Sequence, residues 1–316
     1  MTKMMRDVII ERIIDEMGRN KRVFFLAADF GAPSLDRLRE SFKDRFINVG
    51  IAEQNLINVA TGLGLEGFTV FAYAIAPFLT MRAFEQIRVN LSLHAQVREL
   101  NVNLVGVGAG LSYEVSGPTH HSLEDLSLMR LLPNFSVLSP CDTVSALSCV
   151  DYAIKNKGPK YIRLDGKPLE AVYSDKCLPD MDKGFREVRK GKKVCLVATG
   201  YTTHTALSVA NNASSPVGIV DIVRLKPLDE AGLFKVLSKY EHVVTLEEGF
   251  IGGGGLDTLV SGILTDRASG IHLKRVGFNN KFIFELGPRA YLHSLVGLDE
   301  PSVSRMVAKL NCHNKK

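Results

Sequence analysis

The sequence predicts an α/β protein with two doubly wound domains, each built on a mainly parallel sheet. Short apolar runs alternate with segments of helical spacing along most of the 316 residues. Several of these runs are apolar throughout, which is typical of parallel strands that are covered on both faces. The alternation stops in a polar stretch at residues 171–192 and then begins again. We therefore expect a first domain at residues 1–170, a linker at 171–192 and a smaller α/β domain at 193–316.

Composition excludes several classes of protein. Lysine and arginine exceed the acids by only 39 − 34 = 5 and are scattered, which argues against nucleic-acid binding. The five cysteines form no CxxC pair, and their odd number argues against a disulfide framework. There is no signal-peptide core and no apolar run of transmembrane length. We therefore expect a cytoplasmic protein that binds neither nucleic acid nor membrane and carries no metal ligands of its own.

The first series of elements begins with an amphipathic helix before residue 18 and a buried strand at residues 22–29. The remaining elements of this series are predicted from apolar runs and from helical spacing. Further strands are predicted at residues 46–49, 68–73, 101–108, 135–139 and 161–164, and a helix at residues 78–91.

The second series is shorter and carries fewer reactive side chains. Its strands are predicted at residues 194–198, 217–222, 243–246 and 271–276. The glycine-rich segment at residues 251–256 has neither the GxGxxG spacing of a dinucleotide site nor the Lys-Ser/Thr pair of a P-loop. A tight turn is the better interpretation of this segment.

The helix that follows strand 46–49 carries an acid in its first turn. The chain turns at Gly50, and Glu53 then stands at the carboxyl end of a strand, where open α/β sheets place their ligands. An acid in a first turn also complements the helix dipole, so its position alone leaves both interpretations open.

Two further strand ends carry candidate site residues. Phe78 and Phe84 lie on the helix after strand 68–73, although aromatic side chains on such a helix are more often part of a core. His120 and His121 lie in the loop after strand 101–108, where they could also be ordinary loop residues. Together the three strand ends bring a carboxylate, an aromatic pair and a histidine pair to one edge of one sheet.

Four segments carry a resemblance to a known family. In order and spacing, residues 48–55, 78–88, 117–120 and 132–142 resemble the pyrimidine-binding domain of transketolases, and residues 193–311 resemble the family's C-terminal domain. The family's preceding domain binds magnesium and a diphosphate through a Gly-Asp-Gly motif, which this sequence lacks. The chain is therefore similar to the second half of a split transketolase.

The resemblance implies a reaction, a cofactor and a partner. The reaction is transfer of a two-carbon ketol unit from a ketose donor to an aldehyde acceptor, within carbohydrate metabolism. The cofactor is thiamine diphosphate, with Mg²⁺ bound by a separately encoded N-terminal-half subunit. The implied assembly is an α2β2 heterotetramer.

The resemblance also implies roles for single residues. Glu53 matches the carboxyl group that shares a proton with the pyrimidine ring of the cofactor. Phe78 matches the stacking position, and Phe84 on the same helix is expected to reach the pocket. His120 matches the histidine that binds oxygens of the donor sugar and helps to move protons.

The expected substrate-binding positions depart from the family pattern. Arg6 matches a phosphate-binding arginine, but Gly108 stands at a histidine position, and Gly166 at an arginine position with Lys167 beside it. Ser116 replaces an aspartate that reads the donor's hydroxyl stereochemistry. We therefore expect Arg6, Ser116 and Lys167 to contact a sugar other than the usual phosphorylated pentoses.

Three alternatives stay open from the sequence. The β subunit of a 2-oxo acid dehydrogenase shares the glutamate-bearing helix, but its usual loop is Gln-His-Ser, where this chain has Thr-His-His-Ser at residues 119–122. Deoxyxylulose phosphate synthase shares the run at residues 50–54 but is normally one long chain. A non-catalytic subunit that stabilises a partner is also possible, because the sequence contains only half of a site.

Overall fold

The computed structural model describes residues 3–312, which form two sheets flanked by helices. The first part of the chain contains α1 (Met5–Arg19), β1 (Val23–Ala27), α2 (Pro33–Ser41), β2 (Phe46–Asn48), α3 (Glu53–Leu65), β3 (Thr69–Ile75), α4 (Phe84–Gln86), β4 (Asn101–Val107), α5 (Asp125–Leu131), β5 (Ser136–Leu138), α6 (Thr143–Lys155) and β6 (Lys160–Leu164). The second part contains β7 (Phe185–Arg189), β8 (Val194–Ala198), α7 (Thr202–Asn212), β9 (Gly218–Ile222), β10 (Arg224–Lys226), α8 (Glu230–Leu237), β11 (His242–Phe250), α9 (Leu256–Asp266), β12 (His272–Phe278), α10 (Arg289–Ser294) and α11 (Glu300–Cys312).

The first sheet has the strand order β10-β5-β6-β4-β3-β1-β2. All its neighbouring strands from β5 to β2 are parallel, so their carboxyl ends meet at one edge. Strands β4 and β6 are buried along their whole length because helices cover both faces of the sheet. The predicted α/β class with a mainly parallel first sheet is confirmed.

The second sheet has the order β12-β11-β8-β9-β7, and only β7 is antiparallel to its neighbour. Strand β7 lies inside the segment that we predicted to be a linker. Its sequence, Phe-Arg-Glu-Val-Arg, is half-buried after the first residue, as an edge strand can be, and so it shows no continuous apolar run. The division of the chain at residues 171–192 stays a prediction.

Strand β10 crosses from the second part of the chain into the first sheet. It pairs antiparallel with β5, and Arg224 lies opposite Leu138. The Lys226 ammonium group also donates to the main-chain oxygen of Arg130 at 2.9 Å. This contact ties the end of α5 to the crossing strand.

A buried network of charged side chains joins the two sheets. The guanidinium of Arg289 on α10 donates to both carboxylate oxygens of Glu248 on β11 and, at 2.6 Å, to Asp165, which follows β6. His293 contacts Glu248 at 2.7 Å. Burial alone would raise the pKa of Glu248, but Arg289 and His293 outweigh it and hold that pKa far below its usual range. Glu248 is therefore ionised at neutral pH.

Candidate functional site

Glu53 is the first residue of α3 and lies at the carboxyl edge of the first sheet. The chain leaves β2, turns at Gly50 with φ +75°, and enters the helix three residues later. The side chain of Glu53 is 3% exposed. A carboxylate is favoured at a helix N-terminus, but burial to this degree requires a partner.

The partner of Glu53 is Arg82, a residue that we did not identify from the sequence. Arg82 Nη1 donates to Glu53 Oε2 at 2.6 Å, and the Arg82 side chain is 46% exposed. The main-chain oxygen of Arg82 also accepts from Gln54 Nε2 at 3.3 Å. These contacts hold the segment around Arg82 against the start of α3.

Phe78 lies on the same segment as Arg82. The predicted helix at residues 78–91 is not uniformly α-helical, since Phe78–Arg82 and Ile87–Leu93 are π-helical and flank the short α4. Single π-helical turns are frequent at functional sites. The Arg82 guanidinium carbon lies 4.9 Å from the centre of the Phe78 ring, within the range of a cation–π contact.

His120 completes the cluster from the loop that follows β4. Its ring centre lies 5.1 Å from that of Phe78, edge to face at 69°. Its Nδ1 lies 3.0 Å from the hydroxyl oxygen of Thr119. Glu53, Arg82, Phe78 and His120 thus form one chain of contacts at the ends of β2, β3 and β4.

The other predicted cofactor residue and the adjacent histidine have different surroundings. Phe84 is half-buried and packs against the apolar core beneath the sheet. His121 is buried, and burial lowers the pKa of its imidazole. The predicted role of Phe84 in cofactor binding stays a prediction.

Three of the four predicted substrate-binding residues, Arg6, Ser116 and Lys167, lie near a second aromatic residue, Tyr113. The main-chain N–H of Ser116 donates to the Tyr113 carbonyl at 2.9 Å. Lys167 forms an ion pair with Glu114, the residue that follows Tyr113. Burial raises the pKa of the Tyr113 phenol, and the nearby charge of Arg6 opposes this shift. Arg6, Ser116 and Lys167 are thus brought to one region, but their roles stay predictions.

The Tyr113 ring lies where two glycines leave room for it. A Cβ atom at Gly108 would lie 2.3 Å from Tyr113 Cε2, and one at Gly166 would lie 2.8 Å from Tyr113 Cε1. Side chains at these two positions are therefore incompatible with the ring. Gly108 and Gly166 follow neighbouring strands, and their lack of side chains was the only feature of the sequence that pointed to a bulky residue such as Tyr113 between them.

The described part of the chain contains neither a metal-binding cluster nor a membrane-spanning helix. Within residues 3–312 there is no group of three or more His, Cys, Asp or Glu side chains placed to hold a metal ion. Over the same residues, the helices are too short or too polar to cross a bilayer.

The chain is similar to transketolases over most of its length. Residues 1–169 match the model of the transketolase pyrimidine binding domain, and residues 184–303 match that of the transketolase C-terminal domain. An apulose-4-phosphate transketolase subunit of Actinobacillus succinogenes is 32% identical over 96% of this chain and 97% of its own length. The 6-deoxy-6-sulfo-D-fructose transketolase subunit of a Clostridium strain is 30% identical over 95% of this chain and 92% of its own length.

A solved structure shows the same fold over almost the whole chain. It is described as a split gene transketolase, inactive β4 tetramer, and it is 32% identical with a TM-score of 0.85. The match covers 97% of this chain and 98% of that one. Both sheets and their flanking helices therefore have counterparts in that protein.

Proposed function

The chain belongs to the transketolase family, and on that premise we propose that it is one subunit of a two-chain, thiamine-diphosphate-dependent enzyme that transfers a two-carbon ketol unit from a ketose to an aldehyde. The observation that carries this proposal is the contact chain from Glu53 through Arg82 and Phe78 to His120.

The residues present fit the pyrimidine half of thiamine diphosphate. A buried carboxyl group and an aromatic ring both contact one flat, nitrogen-bearing group, the guanidinium of Arg82. An aminopyrimidine is also flat and also offers nitrogen atoms to a carboxyl group. Among the described residues no cluster of His, Cys, Asp or Glu is placed to hold Mg²⁺. We assign the Mg²⁺ and diphosphate half to a partner chain.

Each residue of the cluster then has a defined task. Thiamine diphosphate, when bound, supplies a thiazolium ring that stabilises a carbanion. Glu53 would hold a proton at its carboxyl oxygen and share it with a ring nitrogen of the pyrimidine. Phe78 supplies an apolar face that orients the ring and excludes water.

His120 is the group that we assign to the sugar. Thr119 contacts its Nδ1, so Nε2 is the nitrogen available for hydroxyl and carbonyl oxygens of the donor. The imidazole of His120 has a ring nitrogen that can accept a proton and return it during cleavage.

Exposed apolar side chains around the site support a covering partner chain. Ile51, two residues before Glu53, is 76% exposed, and Val115 is 71% exposed. Leu286 is also exposed and lies against Gly117, three residues before His120. Exposed apolar side chains on segments that carry site residues are expected where another protein covers the site.

The first expected result concerns this assembly. The isolated chain should bind no thiamine diphosphate in the presence of Mg²⁺, because it holds only the pyrimidine end. Binding and ketol transfer should both appear on mixing with a chain that bears the Gly-Asp-Gly motif, which co-purification from the native cell would identify. Calorimetric titration of the cofactor into each chain and into the mixture measures this. Tight binding by this chain alone would contradict the two-chain proposal.

A 2:2 stoichiometry is the assembly that we expect from the mixture. Sedimentation or light scattering of the purified complex measures its mass directly. A catalytically active complex with one copy of each chain would contradict the heterotetramer while leaving the reaction unaffected.

The second expected result concerns which sugars the enzyme accepts. This preference depends on the position of Tyr113. The ring fills the space beside Gly108 and Gly166, so neither position can supply a cationic donor to a phosphate. Loss of two charge-assisted hydrogen bonds costs about 1.5–3 kcal/mol each. We therefore expect xylulose 5-phosphate and ribose 5-phosphate to be poor substrates, with half-saturation concentrations raised by orders of magnitude.

A panel of phosphorylated, sulfonated and unsubstituted ketoses and aldehydes, assayed on the two-chain complex, tests this expectation. The two relatives described above are named for different sugars, which supports a broad panel. The expectation fails if xylulose 5-phosphate and ribose 5-phosphate are the best pair by a wide margin.

A further inference from the structure

The Arg82 guanidinium makes both contacts that the pyrimidine ring requires. It donates to the buried carboxyl of Glu53 at 2.6 Å, and it lies over the ring of Phe78 at 4.9 Å. A guanidinium group is planar and delocalised, it presents N–H donors in its plane, and it stacks on aromatic faces. In shape and hydrogen bonding it resembles one edge of an aminopyrimidine.

The guanidinium and the pyrimidine cannot occupy this place together. Under the proposed function both contact the carboxyl group of Glu53 and the ring of Phe78. We infer that Arg82 occupies the place of the pyrimidine in the cofactor-free chain and is displaced when the cofactor binds. The inference rests on the proposed function and adds a competing group within the chain.

The burial of Glu53 explains why such a group is needed. At 3% exposure, an ionised carboxyl group without a partner would be strongly destabilising. Arg82 pairs with the carboxylate in the cofactor-free chain, and in the cofactor-bound chain Glu53 instead carries the proton that it shares with the pyrimidine. The site is therefore stable both before and after the cofactor binds.

The exposure of Arg82 explains why it can leave. Its side chain is 46% exposed, so water can solvate the guanidinium when the cofactor replaces it at Glu53. The main-chain contact from Gln54 to the Arg82 carbonyl does not involve the side chain of Arg82. The segment can thus stay in position while the guanidinium swings out.

Replacing Arg82 by methionine tests the inference. Methionine keeps an unbranched side chain but removes the charge and the donors. Because a competitor is removed, the two-chain complex should bind thiamine diphosphate at least about twofold to fivefold more tightly, since the loss of a solvent-exposed ion pair sets the lower bound. The cofactor-free chain should melt at a lower temperature, because Glu53 loses its partner.

Arg39→Met is the matched control, since Arg39 is 48% exposed and pairs with the exposed Asp36 on α2. It should change neither the dissociation constant nor the melting temperature measurably. Arg82→Lys should bind the cofactor with an affinity between those of wild type and Arg82→Met, because an ammonium pairs with Glu53 but is not planar.

Calorimetry and thermal melting decide between the outcomes without an activity assay. Unchanged or weaker cofactor binding by Arg82→Met would overturn the inference, because Arg82 would then not compete for the site. Failure of the wild-type complex to bind thiamine diphosphate at all would instead overturn the proposed function.

Discussion

Replacing Glu53 by glutamine is expected to lower ketol transfer by the two-chain enzyme at least about a hundredfold, the usual contribution of an essential acid–base group. The amide has nearly the same shape but cannot hold and release a proton at that oxygen. Steady-state assays of the reconstituted complex measure the loss, and circular dichroism of the variant checks that the fold is intact.

Glu66→Gln is the matched control, because Glu66 caps the other end of the same helix and is exposed. It should leave the rate unchanged. If Glu53→Gln keeps more than about a tenth of the wild-type rate, Glu53 has no part in the proton transfer.

Arg289→Leu is expected to have the largest effect on stability, a loss of about 3–5 kcal/mol. The substitution leaves two buried carboxylates, Glu248 and Asp165, without their shared cation. Because Asp165 follows a strand of the first sheet and Glu248 belongs to the second, the loss also weakens the contact between the two sheets. Urea unfolding of the isolated chain measures the change in free energy.

The exposed Arg305 on α11 offers a comparison, since it contacts only a serine hydroxyl of its own helix among the described hydrogen bonds. Arg305→Leu should change the free energy of unfolding by less than about 0.5 kcal/mol. A similarly small effect of Arg289→Leu would show that the buried network does not stabilise the fold.

Local patterns in the sequence were sufficient to predict much of this structure. The fully apolar run at residues 194–198 became β8, and the strand–glycine–helix pattern around Gly50 placed Glu53 at the carboxyl edge of the sheet. These features depend on residues close together in the chain, where the side-chain period and turn chemistry decide the structure.

Features that depend on distant residues were not predictable in this way. Arg82 contacts Glu53 across 29 positions, and no spacing rule joins them. Tyr113 was missed because its importance comes from two glycines on neighbouring strands. The π-helical turns differ from an α-helix by one residue per turn, which a short apolar pattern does not distinguish.

Strand β10 makes the two parts of the chain structurally interdependent. It covers the outer side of β5, so a polypeptide broken at residues 171–192 would leave β5 with open main-chain N–H and C=O groups. Such an exposed edge invites pairing with another molecule and aggregation. The first sheet therefore depends for one of its edges on residues that follow 192 in the chain.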